Sequence, residues 1–122
     1  MTQKSGLKKL KSKNQIDLVF RDGKAIRFGA LVLHFIHPEE VVDKIYVSVG
    51  VSKRCVPKAF QRNRIKRQIR AVIRQNNEKI LRSLSFGFYV FLYKSKPIVH
   101  YDNLSFDLNS ILKKFAIYVQ GT

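Results

Sequence analysis

From Ile45 to Val51 the chain sets Ile45, Val47, Val49 and Val51 against Tyr46, Ser48 and Gly50. This two-residue period predicts a strand with one greasy face. Phe28 to Ile36 is rich in Leu, Val and Phe on both alternating sets, which predicts a strand covered on both sides. Phe86 to Tyr93 predicts another, with Phe86, Phe88, Val90 and Leu92 on one side and Tyr89, Phe91 and Tyr93 on the other. The second set suits either a stacking face or a floor for a helix, and core packing is the expected use.

Helical spacing marks three further segments. Ser12-Lys13-Asn14-Gln15 reads as a capping box before Ile16, Val19 and Phe20, and Gly23 suits a left-handed C′ position. Pro57 suits the first turn of a second helix running to about Asn76 or a little beyond. On a wheel started at Ile65, the residues Ile65, Ile69, Val72 and Ile73 fall within roughly −20° to 80°, a core stripe. Lys66, Arg70, Asn63, Arg74, Arg67 and Arg64 fall between roughly 100° and 260° on the same wheel. After Pro97 and a cap at Asp102 or Asn103, the residues Leu104, Leu108, Ile111, Leu112, Phe115 and Val119 trace a third, long amphipathic helix. His37-Pro38-Glu39-Glu40 supplies a turn. The pattern predicts an α+β fold, a two-layer sandwich of an about four-stranded mixed sheet and three helices in the order αβββαβα.

A length of 122 residues suits one domain, and 45% hydrophobic content suffices for its core. Charge changes the picture more. The 24 Lys and Arg face 8 Asp and Glu, for a net charge of +16, a self-repelling excess that points to a polyanionic partner. The cations are unevenly spread, with 8 in residues 1–27, 1 in 28–52, 11 in 53–82 and 4 in 83–122. Lys53, Arg54, Lys58, Arg62, Arg64, Lys66, Arg67, Arg70 and Arg74 occur without an intervening acid, whereas a solvated helix interleaves Glu with such residues. The basic arm over residues 1–11 is expected to be flexible until a polyanionic partner orders it.

Other chemistries find little support. One cysteine, Cys55, cannot form an internal disulfide, and a reducing cytoplasm is expected. The longest apolar stretch, Gly29 to Ile36, is too short for a membrane span, and no signal-peptide hydrophobic region follows the basic N-terminus. Glu39 and Glu40 are the only adjacent acids, a solvated turn rather than a metal cluster. His34 and His37 lie three apart, which sends them to opposite faces of a strand. No Gly-rich phosphate loop is present. The chain by itself reads as non-catalytic, binding no cofactor.

Val51-Ser52-Lys53-Arg54 followed by Ala59-Phe60-Gln61-Arg62-Asn63-Arg64-Ile65-Lys66-Arg67-Gln68-Ile69-Arg70 resembles the signature of the bacterial ribonuclease P protein family. The resemblance extends over roughly residues 7 to 119. It implies the family's fold, with an unusual left-handed βαβ crossover where the general handedness rule favours the right hand. It also implies a protein subunit of an endonuclease that removes the 5′ leader of precursor tRNA, in which the RNA subunit performs the chemistry and holds Mg2+. A free monomer is expected.

By position, the resemblance assigns Arg62, Asn63, Arg64, Lys66, Arg67 and Arg70 to the catalytic RNA, with Lys53 and Arg74 close by. Guanidinium forks suit phosphates, and Asn63 suits sugar or base edges. The leader would lie in a cleft formed by the first helix, the sheet and the basic helix. Phe20 matches a family aromatic there, while the neighbouring aromatic position holds Ile16, which offers no ring. Helical spacing suits Phe20 equally to packing against Ile16 and Val19. Val32, His34, Ser48 and Gly50 fall where the family's sheet lines the cleft.

Overall fold

A computed structural model describes residues 6–38, 42–96 and 101–120, without the side chains of residues 101, 102 and 120. In chain order the elements are β1 (Lys8–Lys9), α1 (Lys13–Asp22), β2 (Lys24–Phe28), β3 (Leu31–Ile36), β4 (Ile45–Val51), α2 (Ala59–Gln75), α3 (Asn77–Ser83), β5 (Gly87–Tyr93) and α4 (Tyr101–Gln120). The sheet order is β1-β4-β5-β3-β2. β4 runs parallel to both β1 and β5, and the β5, β3 and β2 pairings are antiparallel. α2 and α3 form the crossover between the parallel neighbours β4 and β5.

Strand alternation divides the apolar residues between two faces. On one, Leu31, Leu33, Phe35, Ile45, Val47, Val51, Tyr89, Phe91 and Tyr93 pack in one buried cluster with Ile65, Ile69 and Val72 of α2 and Leu104, Leu108, Ile111, Leu112 and Phe115 of α4. The aromatic set of β5 is therefore core floor. On the other face, Phe88 and Val90 pack with Val19 of α1 and Leu10, flanked by Ile16, Ile36 and Tyr46. Helices thus cover both faces, where the sequence pattern predicts two layers.

Four helices and five strands replace the expected three and four. The stretch from Phe28 to Ile36 is not one strand: Phe28 ends β2, Gly29 and Ala30 form a hairpin turn, and β3 follows. Gly29 sits at φ 60°, a left-handed turn position that glycine occupies without a Cβ penalty. β2 escapes the pattern because Lys24, Ala25 and Arg27 are exposed at the sheet edge. The basic helix stops at Asn76, where φ is −110° and the side-chain amide donates to the Val72 carbonyl at 2.8 Å. That local bond competes with helix continuation, and the chain restarts as α3.

The ends differ in detail. Gly23 is extended, at φ −85° and ψ −177°, because the chain enters β2 at the next residue. α2 begins at Ala59, two residues after Pro57. Asp102 and Asn103 lie inside α4 rather than before it. Phe86 precedes β5 and is exposed. Part of the segment expected to be a flexible arm is fixed, since β1 pairs with β4 and Leu10 is buried, donating its amide to the Val47 carbonyl at 2.9 Å. Glu39, Glu40 and Pro97 lie outside the described residues.

Candidate nucleic-acid interface

α2 buries Ile65, Ile69 and Val72 and leaves Asn63, Arg64, Arg67, Arg70 and Arg74 exposed. Lys66 is half-buried, and Lys53 is exposed in the turn before the helix. Among the described residues the one ion pair is Arg21 with Asp22, at 3.3 Å on α1. No described carboxylate therefore neutralises the cations of α2. Arg62 also braces the fold. Its guanidinium donates to the Val56 carbonyl at 3.0 Å and to the Pro57 carbonyl at 2.6 Å, pinning the turn that enters the helix.

The face of the sheet beneath α1 carries the second group of residues. His34, Val90 and Ser48 align across β3, β5 and β4, and Val32, Leu92 and Gly50 form the next row. Alternation puts both rows on the side of Val19 and Phe88. Phe20, 43% exposed, reaches from the last turn of α1 and stacks obliquely on His34 with ring centroids 4.6 Å apart. Burial, and then the nearby Lys94 charge, hold the His34 pKa below its ordinary value. Gly50 leaves its row low, since even a Cβ there would come within 3.3 Å of Leu92.

Between β1, β4 and α2 lies a groove of about 270 Å³. Lys8, Lys9, Arg70 and Arg74 line it together with Leu7, Val49 and Ile73. The fixed part of the basic arm thus continues the cationic surface of the helix. Among the described residues no three His, Cys, Asp or Glu side chains come together as a metal site, and no helix is long and apolar enough to cross a membrane.

The family profile described as Ribonuclease P matches residues 5–116. The chain belongs to the ribonuclease P protein family. Relatives named ribonuclease P protein component include one from Acholeplasma laidlawii, 28% identical and covering 86% of each chain. Another, from Lactobacillus delbrueckii subsp. bulgaricus, is 30% identical over 75% of this chain and 71% of its own length. The solved RNase P protein of Thermotoga maritima superposes with a TM-score of 0.67 at 22% identity, covering 88% of this chain and 96% of that one. That of Staphylococcus aureus gives 0.67 at 16%, over 87% and 93%. The two structures establish the fold. As a ribonuclease P protein, the chain is a subunit of the endoribonuclease that processes tRNA.

Measured against that role, the sequence-predicted residues of this ribonuclease P protein fall into two groups. Asn63, Arg64, Arg67, Arg70 and Arg74 share one exposed helix face, with Lys53 at its entrance, while Lys66 of the same helix is half-buried and Arg62 is bonded to the turn before it. Ile16, Phe20, Val32, His34, Ser48 and Gly50 all lie on the α1 side of the sheet. Within the second group, Ile16 is half-buried against Val19 and its neighbours, and Val32 is only 6% exposed. Neither offers much surface to a ligand. Sequence reasoning passed over Val90 and Leu92, which complete the two rows, and Lys8 and Lys9, whose groove depends on the pairing of β1. The period-two pattern of β5 was the signal for the first pair.

Proposed function

We propose that the chain binds the catalytic RNA of ribonuclease P through the exposed face of α2 and holds the 5′ leader of precursor tRNA on the α1 side of the sheet. The observation that carries this reading is the acid-free row of Arg64, Arg67, Arg70 and Arg74, exposed and without carboxylate partners among the described residues. Each phosphate neutralised there releases counterions, so affinity is high at low salt and falls steeply as salt rises. Arg suits this use because its planar fork pairs with two phosphate oxygens at once.

The leader is single-stranded, and such strands are held by ring stacking and polar contacts as well as charge. Phe20 supplies a ring, His34 and Ser48 supply polar atoms, and Gly50 supplies clearance. The protein contributes no catalytic residue in this reading. The RNA subunit performs the cleavage and holds Mg2+, the protein lowers the magnesium it needs, and the free protein is a cytoplasmic monomer. Reconstitution tests this. The catalytic RNA from the same organism, with the protein added, should cleave precursor tRNA at magnesium concentrations where RNA alone is nearly inactive, and should bind tRNA with a leader more tightly than tRNA without one. No gain from the protein at low magnesium overturns the proposal.

A further inference from the structure

The cationic face of α2 contains one apolar intruder. Phe60, in the first turn, is 65% exposed. On the wheel started at Ile65 it falls at about 220°, inside the arc of the basic residues and opposite the core stripe. Asn63, Arg64 and Arg67 follow it at the third, fourth and seventh positions and so share its side of the helix. Phe60 makes no ring contact among the described residues, whereas Phe106, as exposed, has Phe28 at 5.6 Å.

Its backbone is held firmly. Arg62 ties the helix entrance to the Val56 and Pro57 carbonyls, Val56 is fully buried, and the Arg62 amide donates to Lys58. A ring presented by a fixed helical turn loses little freedom when it is covered, because two side-chain torsions are all that remain to be ordered. A regular duplex keeps its bases stacked on each other and offers such a ring nothing but backbone. An unpaired base offers its whole π face.

We propose that Phe60 is a stacking platform for one unpaired nucleobase, whose flanking phosphates are held by Arg64 and Arg67. This rests on the reading that α2 binds RNA and names what one part of that surface takes: a nucleotide from a loop, bulge or strand end.

The chain contains no Trp, so Phe60→Trp introduces a single indole reporter. Titration of that variant with the ribonuclease P catalytic RNA should quench its emission in step with binding measured by filter retention, while a perfect RNA duplex should bind by charge and leave the emission nearly unchanged. Phe60→Ala should bind the catalytic RNA about tenfold more weakly at an unchanged salt slope, and Phe60→Tyr should restore affinity. Circular dichroism confirms that each variant is folded. Unaltered emission of the bound Trp variant, with Phe60→Ala binding normally, overturns the stacking role while leaving RNA binding by α2 intact. An altered sedimentation coefficient for Phe60→Ala free of RNA overturns it in favour of a protein contact. Absence of salt-dependent RNA binding by the unsubstituted protein removes the underlying reading instead.

Discussion

The ring of Phe20 lies against the imidazole of His34 at 4.6 Å and 55°, joining the last turn of α1 to the central rows of the sheet. Phe20 is 43% exposed, so one part of the ring packs on the protein and another faces solvent at the edge of the proposed leader cleft. Phe20→Ala is expected to weaken binding of leader-bearing tRNA to the holoenzyme about tenfold, with mature tRNA bound as before. Equal loss for both tRNAs would assign the ring to packing alone.

His34 and His37 both have pKa values below the ordinary 6.5, chiefly through burial. The unfolded chain therefore takes up these protons first as pH falls. Stability from the neutral imidazoles is fully present above pH 6.5 and is lost as pH drops through the lower folded values. The Tyr89 phenol, pushed up to about 12 by burial, donates to the Ser85 carbonyl at 2.7 Å. The phenol oxygen also lies 3.0 Å from His37 Nε2, which is itself 3.0 Å from the Ser85 hydroxyl. The urea midpoint should fall between pH 7.5 and pH 5.5, and His34→Gln should flatten that fall. An unchanged pH profile in the variant would contradict the assignment.

Two neighbouring arginines should separate by experiment. Arg67 is exposed and unpaired by carboxylate, so Arg67→Ala should leave stability within about 0.5 kcal/mol and reduce the slope of log affinity against log salt by about one. Arg62 is half-buried and holds two carbonyls. Arg62→Ala should cost about 1–3 kcal/mol of stability, as hydrogen bonds to a charged group do. Chemical denaturation and salt titration of both variants check the contrast.

That contrast also marks what the sequence could tell. The spacing of Ile65, Ile69 and Val72 located the buried side of α2 because helical geometry permits one such side. The same spacing is silent on what each outward arginine touches, and only the turned-back carbonyls of Val56 and Pro57 set Arg62 apart. Alternation likewise put Val32 with His34, and Ser48 with Gly50, on one side of their own strands, because strand period is indifferent to tertiary context, while the family resemblance alone brought the two pairs into one cleft. Alternation gave no warning of β1, whose two lysines carry no apolar pattern, or of β2, whose exposed edge positions resemble a loop. Those strands come from pairing with partners distant in sequence. The Ala59–Arg70 segment that carries the family resemblance includes Phe60, but the exposure of that ring depends on the fold and has no counterpart in the spacing.

Leu10 fixes the inner end of the basic arm. It is 2% exposed, packed with Val19, Phe88 and Val90. Leu10→Ala should cost about 2–5 kcal/mol through lost burial and the cavity left behind. It should also release β1, so limited trypsin digestion should cleave after Lys8, Lys9 and Lys11 faster than in the unsubstituted chain. Loss of stability without faster cleavage would show that the strand holds by its backbone bonds alone.

A carboxylate from α4 closes the β2–β3 hairpin. Asp107, 7% exposed, accepts from the buried Ala30 amide at 3.1 Å, and a Cβ on Gly29 would run into its oxygens. Asp107→Ala leaves the Ala30 donor unsatisfied, which should cost about 1–3 kcal/mol. Gly29→Ala incurs about 1–2 kcal/mol for a Cβ at positive φ, plus displacement of the carboxylate. In the double variant the carboxylate is gone, so the clash disappears while the backbone cost and the orphaned amide remain. The two single losses should therefore exceed the double loss, by about 0.5–3 kcal/mol if the residues are coupled as contacting pairs are. Denaturant midpoints for the four proteins of this cycle measure the difference, and strict additivity would mean that the helix and the turn are stabilised independently.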